Sequence, residues 1–532
     1  MASDETSQAP LVGIPEIADI AGVGRSAVSN WRKRHADFPQ ARLQAASGAL
    51  FDLEAVERWL IENGKLANRV SADKLLWALA DTARGEWSVE DFASFCVTCL
   101  VYFEVCARAD DPTRGRLGPD KPVVAAHYTW SRASDGPAEE FLDWLRSAAY
   151  AIEEANPDVS GLLLPGIPKS SPGRSGLAWR IACALESTTD DDITPRYALF
   201  EEAMSNLVRA DRFAEQFATP DDVSELVTRL LEGQSGTLID LALGEGGLLL
   251  MAAVRPRADS SDQTRVFGIE VDERVWRLAR ARFYLYDVPA TIRLGDALRG
   301  EPRTLPKADA VYLDPPYGTS GWGDADVYLD PQWTFGPPPP SCADMAWVQL
   351  AIRQLNPAGR AGVLLPRGSL SRSGREADIR QAMVAADAVE AVIVLPRRLR
   401  TDTSLQLALW LLRHPGQERA NESILLVDAS ELGEVGRRRF WLPEEAIERI
   451  VDIVRLWETE GRVEESNLAV GVPRSTIAEG DLDPRRYWRA EPAVDVETLL
   501  GQRARGRLAL AAALASSAEA AESLLTFLVE RP

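Results

Sequence analysis

Between residues 211 and 415, short apolar runs alternate with amphipathic segments: Thr237 to Ala242, Arg265 to Glu270, Thr291 to Asp296, Ala308 to Asp314, Gly362 to Pro366, Val389 to Pro396 and Leu405 to Leu412. Runs of that length suit buried strands, and the stretches between them carry helical spacing. The pattern predicts seven strands with intervening helices, an α/β sheet covered on both faces. Ligands of such sheets bind beyond the carboxyl ends of the strands, so the residues that close each run are the candidates for chemistry.

The segments on either side read differently. Residues 71–210 place apolar stretches at helical spacing, such as Leu75 to Leu79 and Phe141 to Ala151, between polar loops like Ala109-Asp-Asp-Pro and Lys169-Ser-Ser-Pro-Gly-Arg-Ser-Gly. This predicts a helical domain without visible chemistry, and its Asp190-Asp-Asp stretch reads as a solvated loop. In residues 1–70, Ile14-Pro-Glu-Ile-Ala-Asp-Ile-Ala reads as a helix, Gly22-Val-Gly as a turn and Arg25 to Arg34 as a second helix. Ile17, Ile20, Val23, Val28 and Trp31 fall where such a pair packs together, leaving Arg25, Ser26, Ser29, Asn30, Arg32 and Lys33 to face outward. With Phe51-Asp-Leu-Glu-Ala-Val-Glu-Arg-Trp-Leu after it, the segment resembles the small winged helix-turn-helix modules of the excisionase-like and MerR-like kind. The cationic outer face favours DNA as its partner; docking to protein is the other reading. Residues 416–532 end in an alanine- and leucine-rich stretch, Val496 to Val529, read as helical.

A length of 532 residues fits three or four folded units. Acidic residues outnumber basic ones 80 to 59, a net charge of -21, so any contact with nucleic acid must be local. The five cysteines are an odd number and scattered, which argues against a disulfide framework. Cys96 and Cys99 form a C-x-x-C without a second pair at zinc-binding spacing, so buried thiols are expected and no metal site. No unbroken run reaches the roughly 18 apolar residues of a bilayer span, and Met1 to Pro10 is polar. A soluble cytoplasmic protein is the expectation.

The first strand closes in Asp240-Leu-Ala-Leu-Gly-Glu-Gly-Gly-Leu, a glycine turn through Gly244 and Gly246 that lets backbone approach a ligand. Leu249 stands where a dinucleotide fingerprint needs its third glycine, which disfavours NAD. The second strand ends in Glu270, placed to accept from both hydroxyls of a ribose, and the third in Asp296, placed to meet an adenine amino group. The fourth ends in Asp314-Pro315-Pro316-Tyr317-Gly318. Prolines donate no hydrogen bond, so Asp314 and the neighbouring carbonyls make an acceptor-only site suited to an amino group. Accepting both N–H bonds of an exocyclic amine at Asp314 and the Pro315 carbonyl favours a pyramidal nitrogen with its lone pair aimed at an electrophilic methyl. Tyr317 offers an aromatic face for a flipped base.

On these motifs residues 211 to about 490 resemble the N6-adenine DNA methylases that serve as modification subunits of type I restriction-modification systems. Phe217-Ala-Thr-Pro is similar to the family's F-x-T-P element, and Asp330-Pro-Gln-Trp-Thr-Phe-Gly-Pro-Pro and Ala343-Asp-Met-Ala-Trp-Val-Gln to its segment after the catalytic motif. Gly359-Arg-Ala-Gly-Val-Leu-Leu-Pro and Leu395-Pro-Arg-Arg-Leu continue its strand order, and Leu482-Asp-Pro-Arg-Arg-Tyr resembles its closing element. The resemblance implies a class I S-adenosylmethionine-dependent methyltransferase fold, with cofactor at Thr219, Asp240, Gly244, Gly246, Glu270 and Asp296 and catalysis at Asp314, Pro315, Pro316 and Tyr317. It also implies double-stranded DNA as substrate, a separate specificity subunit, restriction or defence partners, and a role for Val496 to Val529 in holding such a partner; packing on its own domain is the alternative for that stretch. Two departures stand out. Leu241, Leu243 and Glu245 replace the family's usual Asp-Pro-x-Cys-Gly-Ser-Gly turn, and Asp314 replaces its usual Asn.

Between Gly359 and Arg400 eight arginines face four acids in the sequence, including Arg367, Arg372, Arg375, Arg397, Arg398 and Arg400. Phosphate contacts beside the cleft, Arg367 and Arg372 among them, and ordinary solvated surface are both open readings. The loop Gly318 to Pro340 is expected to rim the cleft. Methylation of adenine N6 is the leading function. N4-cytosine or a glutamine amide as acceptor, and a DNA-binding scaffold without turnover, are the alternatives.

Overall fold

Gly22 turns the chain at φ 66° between α1 (Ile14–Ile20) and α2 (Arg25–Arg34), a conformation open to a residue without Cβ. The structure is a computed structural model that describes residues 11–65, 87–110, 122–188, 195–210 and 218–488, apart from short internal breaks, and a few isolated positions. Strand β1 (Leu11–Gly13) pairs with β3 (Gly48–Asp52), which pairs with β2 (Ala41–Ala45); α3 (Leu53–Glu62) follows, its first turn capped by Asp52 accepting from Ala55 N at 3.0 Å. Ile17, Ile20 and Val28 are buried between the helices, while Arg25, Ser26, Asn30, Arg32 and Lys33 are exposed and Ser29 half-buried. The inside and outside faces thus fall as the apolar spacing predicts.

Helix α4 (Val89–Asp110) has the length and composition of a bilayer span, yet most of its surface is buried inside the protein. Two of its late charges are neutralised there: Arg108 donates to Glu104 at 2.8 Å, and Glu104 also accepts from Arg196 at 2.9 Å. Around it pack α5 (Phe141–Ala155), α6 (Pro172–Thr188) and α7 (Arg196–Ala210). The apolar core is continuous from Val12 and Ile17 through this helical layer to Tyr284 and Leu285. Boundaries expected near residues 70 and 210 therefore do not interrupt it. A buried ion pair between Glu16 and Arg180 bridges the first module to α6, and Glu16 also accepts from Gly13 N at 2.9 Å. The expected stretches Leu75 to Leu79 and Asp190-Asp-Asp lie outside the described residues.

The remainder of this unit is a covered sheet. Helices α8 (Asp221–Leu230), α9 (Gly247–Val254), α10 (Glu273–Leu285), α11 (Asp344–Gln354), α12 (Arg375–Ala385) and α13 (Glu444–Glu460) accompany it. All seven expected runs form strands: β4 (Thr237–Asp240), β5 (Arg265–Glu270), β6 (Ala290–Leu294), β7 (Ala308–Leu313), β8 (Leu355–Pro366), β9 (Val389–Arg397) and β10 (Gln406–Arg413). The seven-strand count is corrected to nine, because β11 (Ser423–Asp428) and β14 (Ala469–Pro473) join the same sheet. Between them lies a small hairpin, β12 (Glu434–Val435) with β13 (Phe440–Trp441). Both extra strands come from beyond residue 415, so the sheet draws on the segment expected to be separate. The order is β14-β11-β9-β10-β8-β7-β4-β5-β6, with β10 antiparallel to both neighbours and β14 antiparallel to β11.

The chain leaves β4 toward β5 and β6 on one side, then returns to β7 on the other. Connections diverge between β4 and β7, which opens a crevice at their carboxyl ends. Unit one ends at Asp483; the second unit begins at Pro484 with a single 3-10 turn, Pro484–Arg486, and Val496 to Val529 lies outside the described residues, Arg507 apart.

Candidate active site

Asp314 follows β7 at this crevice, and its carboxylate is the meeting point of separate elements. Thr219 Oγ1, just before α8, donates to Asp314 Oδ2 at 2.8 Å. Arg400, after β9, donates to the same oxygen at 2.8 Å. The Tyr317 hydroxyl donates to Oδ1. The side chains of Asp314 and Arg400 are each only 6% exposed. Two of the predicted groups, Thr219 and the Asp314 to Tyr317 tetrad, are therefore in direct contact across 95 residues of sequence. Phe217 lies outside the described residues.

The pentad's backbone is fixed from behind. Gly318, at φ 60°, donates to Oδ1 of Asp344 at 2.9 Å, and Asp344 is fully buried at the start of α11. Pro315 is buried, Pro316 exposed, and the Pro316 carbonyl accepts from Thr319 Oγ1 at 3.2 Å. The loop to Pro340 carries its own small core: Trp322 packs edge-on against Tyr328 and Trp333, its indole N–H on the Pro339 carbonyl. Gln349 of α11 pins the far side, accepting from Phe335 N at 3.0 Å and donating to Gly336 O at 2.9 Å.

Asp240, Glu270 and Asp314 converge on one floor. Burial pushes Asp240 well above the usual carboxylate range, with Asp314 and Glu270 adding repulsion and the Ala242 amide opposing it. Burial also raises Glu270, against the pull of its backbone donors. Those donors are Gly244 N on Oε2 and Val271 N and Asp272 N on Oε1, each at 2.8 Å. A carboxylate offers about four acceptor places, so Glu270 in this arrangement has room for one ribose hydroxyl rather than the two expected. Its role in the structure is to clasp the glycine turn. Asp296 caps the short turn after β6, accepting from Leu298 N at 2.9 Å, and pairs with Arg299 at 3.2 Å.

The glycine turn departs from the family's residues but closes well. Gly244 and Gly246 sit at φ 55° and 79°. A Cβ on Gly246 would come within 2.8 Å of Phe283, so glycine is required there by packing. The unusual Glu245 is buried against Arg282, whose guanidinium donates to the Glu245 carbonyl at 2.7 Å and to both oxygens of Glu201 at 2.9 and 2.7 Å. Leu243 occupies the space beside Gly268, where an added Cβ would meet it at 2.7 Å. The altered turn is thus compensated by its neighbours.

Among the arginines the structure separates two kinds. Arg367 is bound to Asp483 through hydrogen bonds of 2.7 to 2.9 Å and to Gln406 at 3.1 Å. Arg372 pairs with Asp344 at 2.7 Å and Glu376 at 3.3 Å. Both candidate phosphate contacts are thus already paired with carboxylates, Arg367 largely covered and Arg372 half-buried. Arg375, Arg397 and Arg398 remain exposed. Arg400, grouped with the phosphate candidates by its sequence neighbours, joins the cluster around Asp314 instead. The buried Asp344 is a further member that carries no distinguishing signal in the sequence. Cys96, Cys99, Cys106, Cys183 and Cys342 are buried, and burial raises each thiol above its ordinary range.

The model of the family described as N-6 DNA Methylase matches residues 198–495, more than half of the sequence. The chain belongs to the N-6 DNA methylase family. Among curated relatives, this N-6 DNA methylase is 27% identical over 300 residues to the type I restriction enzyme HindI methylase subunit of Haemophilus influenzae, covering 54% of this chain and 67% of that one. It is 28% identical over 287 residues to the MjaIX methylase subunit of Methanocaldococcus jannaschii, covering 51% of each. The match thus spans one half to two thirds of these relatives' length. The fold is that of the crystal structure of a type I restriction-modification methyltransferase subunit from Streptococcus thermophilus: TM-score 0.65 at 21% identity, over 78% of this chain and 98% of the other.

Proposed function

We propose that this N-6 DNA methylase transfers a methyl group from S-adenosylmethionine to the exocyclic N6 of an adenine flipped out of duplex DNA, within a restriction-modification or related defence system. The observation that carries the reading is Asp314, an acceptor held by Thr219, Tyr317 and Arg400 at the mouth between β4 and β7. The acidic floor fits a cationic cofactor, because Asp240 and Glu270 are desolvated carboxylates that an adjacent positive charge would relieve. Thr219, Asp240, Gly244, Gly246, Glu270 and Asp296 are the residues that would hold it. When bound, S-adenosylmethionine supplies the electrophilic methyl, its sulfur keeping the electron pair of the broken bond.

This chain's own groups then orient the acceptor. Asp314 and the Pro315 carbonyl accept the two amino hydrogens, Tyr317 stacks on the ring, and the N–H proton leaves for solvent as the C–N bond forms. The helix-turn-helix of residues 14–34, with Arg25, Ser26, Ser29, Asn30, Arg32 and Lys33 outward, is assigned a local DNA contact, and Arg375, Arg397 and Arg398 the phosphates by the cleft. A specificity subunit and restriction or defence partners complete the assembly.

The test is methyl transfer from labelled S-adenosylmethionine to varied duplex DNA, by the chain alone and with its partner, with nucleoside analysis of the product. N6-methyladenine is expected. N4-methylcytosine would reassign the base, and no transfer under either condition would leave the scaffold reading.

A further inference from the structure

The turn after β9 aims one arginine at the reaction centre. Arg398 adopts φ 58°, unusual for a residue with a Cβ, and its carbonyl is held by Phe440 N of the β12–β13 hairpin at 2.9 Å. With the chain turned this way, Leu399 is buried and Arg400 lies inward, while Arg397 and Arg398 face solvent. The Arg400 guanidinium carbon lies 5.6 Å from the ring centre of Tyr317 as well as donating to Asp314.

Where the resembled family carries an amide at this place, this chain carries a charge. An amide is neutral and accepts through one oxygen; a buried carboxylate alone is an uncompensated charge and is strongly disfavoured. Pairing with Arg400 cancels it. The pairing also selects an oxygen. Each carboxylate oxygen has two acceptor places; Oδ2 is filled by Thr219 and Arg400, and among the described residues Oδ1 holds the Tyr317 hydroxyl alone. One place on Oδ1 is left to receive an amino hydrogen.

We propose that Arg400 is a positioning residue for methyl transfer: it neutralises Asp314 and occupies Oδ2, so that the carboxylate presents Oδ1 as the acceptor for the substrate amine and stands in for the amide. This rests on the methyltransferase reading above. Asp314 and Arg400 form a functional unit, and neither is replaceable alone.

A double-mutant cycle on the full chain, with its partner subunit if transfer requires one, tests this with Arg400→Met, Asp314→Asn and the double variant. Single-turnover transfer, KM for cofactor and thermal unfolding are measured for each. Arg400→Met is expected to lower kcat about 100-fold while KM for cofactor stays within about threefold. Adding Asp314→Asn to Arg400→Met is expected to restore kcat to within about tenfold of wild type, and to recover part of the lost melting temperature, because a neutral amide needs no counter-cation. Should Arg400→Met fail to fold, Arg400→Gln enters the same cycle with the same rescue expected. Losses that multiply in the double variant, or an Arg400→Met enzyme of wild-type rate, overturn the role while leaving the methyltransferase reading intact. Absence of transfer by the wild-type chain, alone and with its partner, overturns that reading and this role with it.

Discussion

The cations of α2 and several of those around the crevice at Asp314 follow opposite rules in space. Arg25, Arg32 and Lys33 stand exposed on a helix with no acidic residue, whereas Arg282, Arg367, Arg372 and Arg400 are each bound to a carboxylate. An arginine count therefore measures binding potential only after the neighbouring acids have been subtracted. In an acidic protein the surviving exposed positive face is the informative one.

Four experiments probe this contrast. Asp314→Ala should have the strongest consequence, because it removes the acceptor of the crevice without touching α2: transfer should fall on the order of 1,000-fold or more, while isothermal titration still detects cofactor binding and DNA affinity persists. Full activity in that variant would displace the site. Next, Arg282→Met strands Glu245 and Glu201, so urea unfolding should show a loss of about 3 kcal/mol, the range for breaking a buried pair from one side. An unchanged midpoint would mean the glycine turn does not depend on this arginine.

A weaker response separates the two kinds of cation directly. Replacing Arg32 and Lys33 with alanine should weaken duplex binding about tenfold at moderate salt and lower the salt slope by about one for each phosphate that is no longer neutralised, with no change in melting temperature. Arg372→Ala should do the reverse, losing stability at constant salt slope. Equal slopes across both variants would erase the distinction. The mildest response concerns pH. Asp240 is raised chiefly by burial, and a cation bound beside it favours its ionised form, so cofactor affinity should strengthen as pH rises through Asp240's elevated titration and weaken below it. Calorimetry in buffers of different ionisation enthalpy should register proton release on binding, which Asp240→Asn should abolish.

Local signals make the strands legible. All seven runs form strands, since a short apolar stretch between helical periods has few other destinations. β11 and β14 escape that pattern because the change of period near residue 415 suggests a domain end, although Ser423–Asp428 is as apolar as its partners. The Asp314 tetrad is legible from proline placement and its position at a strand end, and Thr219 only through the resemblance of Phe217-Ala-Thr-Pro to the F-x-T-P element. Arg400 is not. Its charge matches its exposed neighbours in sequence, and only the left-handed turn at Arg398 distinguishes it, a feature without a side-chain signature outside glycine and asparagine. Glu270 is legible as a strand-end carboxylate, but its occupancy by three amides belongs to loop closure that pattern cannot display.

The Glu16–Arg180 pair has a practical bearing on anyone who would retarget this protein by exchanging its amino-terminal module. A graft joined near residue 70 would leave Arg180 as an orphaned cation in an oily interior and strip the cover from Val12 and Ile17's neighbours in α6. Donor modules must therefore bring a glutamate at the position of Glu16, or the acceptor must surrender Arg180 for an apolar residue, before any difference in DNA preference can be credited to the helix that was transplanted.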